Sequence, residues 1–327
     1  MVPPLAVTMG DPAGIGPDIT LAAWQALKTD GPAFCILGDP ALYGSTAQPI
    51  SDPAETADVF ADALPVLPMS LAFPAIPGKP DSANAAAILS SIEQAVALVR
   101  TGKAAGIVTN PIAKSVLYSA GFRHPGHTEF IAELTRDMAH KGPRGPVMML
   151  AGEHVRVALV SIHKPLRAMI DELSVDAIVE TAAVTDAALK RDFGIEAPRL
   201  ALAGLNPHAG EDGALGREEI DIVQPAAVQI RGRGIDISDP MPPDAMFHAE
   251  ARAKYDAAIC LYHDQGLIPF KALDFWGGVN VTLGLPIVRT SPDHGTGFDI
   301  AGKGVARPDS LIAAIRMAAD MAETRTA

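Results

Sequence analysis

Ala257-Ala258-Ile259-Cys260-Leu261-Tyr262-His263-Asp264 is an apolar run that stops abruptly on an imidazole and a carboxylate. An uncharged run this short, bounded by polar groups, reads as a strand buried on both faces of a sheet. Two other stretches have the same design. Val155-Arg156-Val157-Ala158-Leu159-Val160-Ser161-Ile162 stops at His163, and Leu200-Ala201-Leu202-Ala203-Gly204-Leu205-Asn206-Pro207 stops at His208. Working outward, further strands are expected over 5–9, 34–37, 106–109, 147–150 and 279–283. Helices are expected over 17–27, 83–101, 128–136, 175–193 and 309–322, with Ser82 and Thr128 as N-caps. This alternation predicts an α/β chain with mostly parallel sheets covered by helices. Ligands bind beyond the carboxyl ends of the strands in such sheets, and that is where the three histidines stand.

Composition narrows the function classes. The chain has 327 residues, 48% of them hydrophobic and 20% charged, enough for a large α/β unit or two lobes and too apolar for disorder. The net charge of -12 argues against nucleic acid and anionic membrane as partners. It also requires any anion site to gather its cations locally. The two cysteines, Cys35 and Cys260, both lie in apolar runs and read as reduced core thiols. The start lacks a basic leader pattern, and no uninterrupted apolar run suggests a membrane span. A cytoplasmic enzyme is the expectation. The segment 48–80, rich in Pro, Ala, Ser and Asp, is expected to be loops with short elements.

Three imidazoles at strand ends could converge on one divalent metal and leave positions open for a substrate. They could equally be capping or hydrogen-bonding groups, and their wide spacing is not that of a local metal motif. Pro125-Gly126-His127-Thr128-Glu129 reads as a capped helix start or as an anion site at a helix N-terminus. Gly10-Asp11-Pro12-Ala13-Gly14-Ile15-Gly16-Pro17-Asp18 joins the first strand to a helix, with glycines in the wrong order for a dinucleotide fingerprint; turn geometry alone accounts for them. Arg289 to Gly304 includes His294-Gly295-Thr296-Gly297-Phe298-Asp299, a glycine-rich loop suited to a nucleoside. An aspartate there can hold both ribose hydroxyls and would repel a 2′-phosphate. Lys271, Asn280 and Arg289 are candidates for a substrate phosphate or carboxylate.

Taken in order, G-D-P-A-G-I-G-P-D, N-P-I-A-K, G-H-T-E, G-L-N-P-H-A-G-E, Y-H-D-Q-G-L, G-V-N-V-T-L-G-L-P and R-T-S-P-D-H-G-T resemble the 4-hydroxythreonine-4-phosphate dehydrogenase family of pyridoxal 5′-phosphate biosynthesis, from Thr8 to about Lys303. The resemblance implies the fold of isocitrate and isopropylmalate dehydrogenases: two α/β/α lobes, with 1–125 plus 290–327 as the first and 126–289 as the second, and the active site in the cleft between them. It implies that His163, His208 and His263 bind a divalent metal, with zinc or cobalt matching imidazole better than magnesium on ligand softness. It implies a homodimer sharing that site. His127, Thr128, Lys271, Asn280 and Arg289 match substrate positions, Asp244 a position near the substrate. Lys271 and Asp264 are carried as catalytic candidates, Asp264 for orienting a ligand or relaying a proton. By the fold resemblance, His294, Gly295, Thr296 and Asp299 would hold NAD, with NAD expected over NADP. One departure is Asn110, in Thr109-Asn110-Pro111, where many members have glycine; a left-handed turn there would suit Asn.

The reaction implied is oxidation of 4-phosphooxy-L-threonine at C3 to 2-amino-3-oxo-4-phosphooxybutanoate, which decarboxylates to 3-amino-2-oxopropyl phosphate. Related dehydrogenases of four-carbon sugar-acid phosphates or of a dihydrodiol would keep the histidines and the NAD loop. A metal-dependent aldolase or phosphatase would need no nicotinamide, and a non-catalytic metal-binding protein would leave the Lys271, Asn280 and Arg289 group unexplained.

Overall fold

A computed structural model describes residues 2–124 and 126–326; Met1, Pro125 and Ala327 lie outside the described residues, and with them the proline of the G-H-T-E turn and the expected lobe boundary. Its strands, in chain order, are β1 (Leu5–Thr8), β2 (Phe34–Gly38), β3 (Ala47–Pro49), β4 (Leu64–Pro68), β5 (Ile107–Thr109), β6 (Val147–Ala151), β7 (Arg156–Leu159), β8 (Arg199–Leu202), β9 (Asp236–Ile237), β10 (Ala257–Cys260), β11 (Val279–Leu283) and β12 (Arg289–Pro292). The chain divides into two compact units, one of Met1–Ala139 with Leu285–Ala327, the other of His140–Gly284.

In the first unit the strand order is β3-β4-β2-β1-β5-β12, with every pair parallel. β1 and β2 are buried along their whole length, as an apolar run in a parallel sheet must be. The helix Ala85–Arg100 lays Ile88, Ile92, Ala95 and Val96 against this sheet. Its Ser91 hydroxyl donates to Leu37 O and accepts from Met9 N, tying it to the ends of β1 and β2. The span Ser82–Arg100 is long and apolar enough to cross a membrane by length and composition, although polar residues interrupt it. Its apolar face is spent on the core instead. Asp81, not Ser82, accepts the first amide, at Ala83, ahead of this helix.

The helix His127–Leu134 belongs to this first unit, not to the second as the sequence boundary had it. Phe130 and Ile131 sit in one cluster with Ala6, Ile92 and Ile107, and that buried contact assigns the helix. Its N-cap is Gly126, with no side-chain cap bond, so Thr128 stands inside the first turn. The segment 48–80, expected to be loops with short elements, contributes one such element, β4, to the sheet beside β2.

In the second unit the order is β11-β6-β7-β10-β8-β9. β7, β10, β8 and β9 run parallel, whereas β6 is antiparallel to β11 and β7. The helix Val175–Phe193 opens on Ser174, whose hydroxyl accepts from Ala177 N, and closes on Gly194 in the left-handed conformation, the two end signals the sequence carries. Cys260, at the end of β10, is buried, as is Cys35 in β2, and burial pushes both thiols up to about 12, so neither serves as a thiolate at neutral pH.

Candidate active site

β7, β10 and β8 are adjacent and parallel, so the segments leaving them emerge at the same end of the sheet. His163 follows β7, His263 follows β10 and His208 follows β8. The His163 and His263 rings stand 5.8 Å apart, centroid to centroid. They line a hollow of about 330 Å³ with Ser161, Lys164, Tyr262 and Asp264. His263 is the first residue of the helix His263–Leu273, and its Nδ1 lies 2.7 Å from the Asp264 carboxylate. A carboxylate on one ring nitrogen fixes the tautomer and turns the other nitrogen outward, the arrangement metal-ligating histidines use. His208 is not part of this hollow, and among the described residues no three His, Cys, Asp or Glu side chains are close enough together to hold a metal ion.

His208 sits in an unusual backbone. Pro207–Gly213 runs left-handed, with positive φ at His208, Ala209, Glu211 and Asp212 as well as at Gly210. A non-glycine residue in that region costs roughly 1–2 kcal/mol, and four in one loop persist only where the surroundings over-determine them. Asp244 is exposed in the turn Pro243–Ala245. That turn follows Met241, whose carbonyl accepts from Gly204 N beside the end of β8. Asn280 lies in β11, its Oδ1 buried with no hydrogen-bond partner. Lys271 is near the end of the helix His263–Leu273, its Nζ 5.2 Å from the Phe275 ring centroid.

The first unit carries a second cluster. Arg289, at the start of β12, is 2% exposed and donates from Nη2 to Thr109 Oγ1 at the end of β5. Burial lowers its pKa to about 10, with the nearby Glu129 charge opposing the shift. His127 is part-exposed as a residue, but its Nε2 is buried without a partner. Burial first, then the Arg289 and Lys114 charges, hold its pKa well below the ordinary imidazole value. His127 is therefore neutral at pH 7, one orphan nitrogen among two cations at the uncapped start of the helix His127–Leu134. That is the electrostatics of an anion site. Lys114 is the member the sequence reading left out. Its signal was the K of N-P-I-A-K, but only folding sets its ammonium beside Gly126, where a Cβ would come within 3.6 Å of Nζ.

The glycine loops explain each other. The carbonyl of Thr296 accepts from Ile15 N, and Gly302 N donates to the Asp18 carboxylate. A Cβ on Gly14 would meet Thr296 O at 2.7 Å. The Gly10–Asp18 segment is thus a seat for the 293–304 loop, and its residues 10–16 are buried. His294, Gly295 and Asp299 are exposed on that loop and Thr296 half-buried. Asn110 does not take the left-handed turn expected of it. It is buried, donating to Thr8 O and Thr20 Oγ1.

The pyridoxal phosphate biosynthetic protein PdxA family matches residues 32–318. The chain belongs to this family. It is 56% identical over 327 residues to the 4-hydroxythreonine-4-phosphate dehydrogenase of Caulobacter vibrioides, covering 98% of both chains. A crystal structure of 4-hydroxythreonine-4-phosphate dehydrogenase from Klebsiella pneumoniae shares the fold at TM-score 0.86 and 37% identity, with 98% of this chain and 99% of that one covered. A terephthalate 1,2-cis-dihydrodiol dehydrogenase from Burkholderia xenovorans is more distant, at TM-score 0.64 and 26% identity, covering 97% and 98%. These relatives are oxidoreductases, and the family reading of the motifs from Thr8 to Lys303 is correct.

Proposed function

We propose that the chain oxidises 4-phosphooxy-L-threonine at C3 with NAD⁺, in the cytoplasm, on the route to pyridoxal 5′-phosphate. The observation that carries this reading is the emergence of His163, His263 and His208 from three adjacent parallel strands at one end of the sheet. The donor types suit a divalent cation: His163 and His263 share one hollow, His263 with its Nδ1 committed to Asp264, while His208 stands at the exit of the adjacent strand and would have to join them for the set to be complete. Bound there, zinc, cobalt or magnesium would supply electrophilic assistance to both the oxidation and the decarboxylation.

The chain's own residues do the rest. The Arg289, Lys114 and His127 cluster, with Thr128 in the same first turn, takes the substrate's anionic end. Neutral His127 can offer Nε2 as donor or acceptor without a second buried charge. Asn280 and Asp244 supply polar contacts in the second unit, and Lys271 binds there and exchanges the C3 hydroxyl proton. Asp264 acts through His263, by holding its ring. A bound nicotinamide would supply the hydride acceptor for C3, and the hydroxyl proton goes to Lys271. The resulting β-keto acid breaks its C1–C2 bond, releasing CO₂; the electron pair moves toward the C3 carbonyl, and a proton is taken up at C2. The 293–304 loop would hold the cofactor, with Asp299 the acceptor for the ribose hydroxyls and His294, Gly295 and Thr296 available to the adenosine. Two copies share the site as a homodimer.

The test is NADH formation from 4-phosphooxy-L-threonine with added divalent metal, with and without chelator. Chelator-sensitive turnover is expected; no NADH with metal present overturns the reading. A cis-dihydrodiol and four-carbon sugar-acid phosphates belong in the same assay, because the related fold of the dihydrodiol enzyme favours a second reading. Buried Arg289 with exposed Lys114 can take either anion, the phosphate of one substrate or a carboxylate of a terephthalate dihydrodiol, so the assay separates the two readings. NADH from the diol alone would decide for the second.

A further inference from the structure

The left-handed loop that carries His208 is held by one buried carboxylate. Glu219 is 5% exposed and opens the π-helical turn Glu219–Val223, a rare backbone form often found at functional sites. Its Oε1 accepts from Leu205 N and Asn206 N, each at 2.7 Å, and its Oε2 accepts from Asn206 Nδ2 at 2.9 Å. Asn206 Nδ2 also donates to Glu218 Oε2. These contacts fasten the two residues preceding Pro207-His208. The loop's inner wall is fitted to the same carboxylate: a Cβ on Gly210 would lie 2.6 Å from Glu219 Oε2, and one on Gly204 3.3 Å from Oε1. Nearby, Gln265 accepts from Leu261 N and donates to Gly204 O, bridging the exits of β10 and β8.

We propose that Glu219 is a positioning residue for His208: by gripping Leu205 and Asn206 it keeps the left-handed turn in place and so fixes the imidazole at the exit of β8, next to the exits of β10 and β7 from which it would join the other two histidines on a metal. This rests on the reading of His163, His208 and His263 as metal ligands. A strained turn of non-glycine residues has no reason to hold unless something outside it pays the conformational cost, and Glu219 is the group placed to do so. It touches neither substrate nor the reacting atoms, and its action runs through ligand geometry.

Glutamine cannot replace it. One carbonyl oxygen can still accept both backbone amides, but the new amide faces Asn206 Nδ2 donor to donor. Turning Asn206 over to relieve that would set its Oδ1 against the Glu218 carboxylate. The experiment measures Co²⁺ affinity and the Co²⁺ visible spectrum of the whole metal-free protein, with NAD⁺ affinity and thermal unfolding alongside, for wild type, His208→Ala, Glu219→Gln and Asn206→Ala. Loss of outer-sphere support typically weakens metal binding tenfold to a hundredfold. Glu219→Gln is expected to fall in that range and to change the absorption bands, with NAD⁺ affinity within about twofold of wild type. Asn206→Ala, which strips only the side-chain half of the grip, is expected to lose about threefold to tenfold. Wild-type Co²⁺ affinity in folded Glu219→Gln overturns the proposal while His208→Ala still loses binding. Should Glu219→Gln not fold, Asn206→Ala decides, and wild-type affinity there overturns it as well. If wild type binds no Co²⁺, or His208→Ala binds it normally, the metal reading itself falls and the proposal with it.

Discussion

His127 shows how a single side chain reports its surroundings. Burial and two neighbouring cations disfavour its protonated form, so its folded pKa lies well below that of the unfolded chain. Below about pH 6.5 the unfolded state takes up a proton that the folded state refuses. Folding stability therefore falls as pH drops through that region, by up to about 1.4 kcal/mol per pH unit for this one group, until the depressed folded value is reached. His127→Gln is expected to flatten that slope in denaturant unfolding at pH 7 and pH 5.5. The His127 ring proton signal of the folded protein is expected not to titrate across the same interval; a normal titration would remove the residue from the anion cluster. Asp299 is the converse, a group in the open. If it holds the ribose diol, Asp299→Asn removes the charge that repels a 2′-phosphate and narrows the preference for NAD over NADP by about tenfold, roughly 1.4 kcal/mol. An unchanged ratio of kcat/KM values for the two cofactors removes it from that position.

At the scale of elements, the two glycine-rich stretches were legible as loops but not as partners. Nothing in the order of Gly10, Gly14 and Gly16 says that the segment ending at Gly304 will lie on it, because the contact is backbone to backbone across most of the chain. Once folded, it sets a sharp expectation. Gly14→Ala drives a Cβ to 2.7 Å from Thr296 O, and neither atom can rotate away. The 293–304 loop has to shift, and KM for NAD⁺ is expected to rise at least tenfold, with thermal stability lowered by about 1–3 kcal/mol as for other overpacked sites. An unaltered KM would separate that loop from the cofactor. The strands were readable because their apolar runs are continuous; the helix ends were less so, since Asp81 and Gly126 stand at the caps expected of Ser82 and Thr128. The left-handed turn at His208 was not, since local propensity disfavours positive φ at most non-glycine residues; backbone bonds within the turn and the Glu219 carboxylate on Leu205 and Asn206 accompany it only in the folded chain. Lys114 escaped for the same reason, being one lysine among several until the fold puts it beside His127.

On the scale of the whole molecule, the three imidazoles were visible as strand ends, whereas the order β7-β10-β8 that sets their strands side by side is a property of topology. The second unit leaves Ile268 68%, Phe275 57% and Trp276 52% exposed, with Phe275 and Trp276 packed edge to face at 4.9 Å. Large aromatics held against water are what interfaces bury, and the helix Ile268 belongs to begins at His263. A homodimer built on this surface would bring a second copy close to the histidine site. The charge works the other way: each 34.0 kDa chain carries -12, so two copies repel. Salt screens that repulsion and leaves apolar burial intact. Sedimentation equilibrium is therefore expected to give twice the chain mass, with dimer affinity rising between about 0.01 and about 1 M salt, roughly a tenfold step either side of the ionic strength where the screening length is about 10 Å. Trp276→Glu adds a charge to the patch and is expected to shift the protein toward monomer and to lower turnover in parallel. A monomeric Trp276→Glu protein with full turnover would show that one chain completes the site alone.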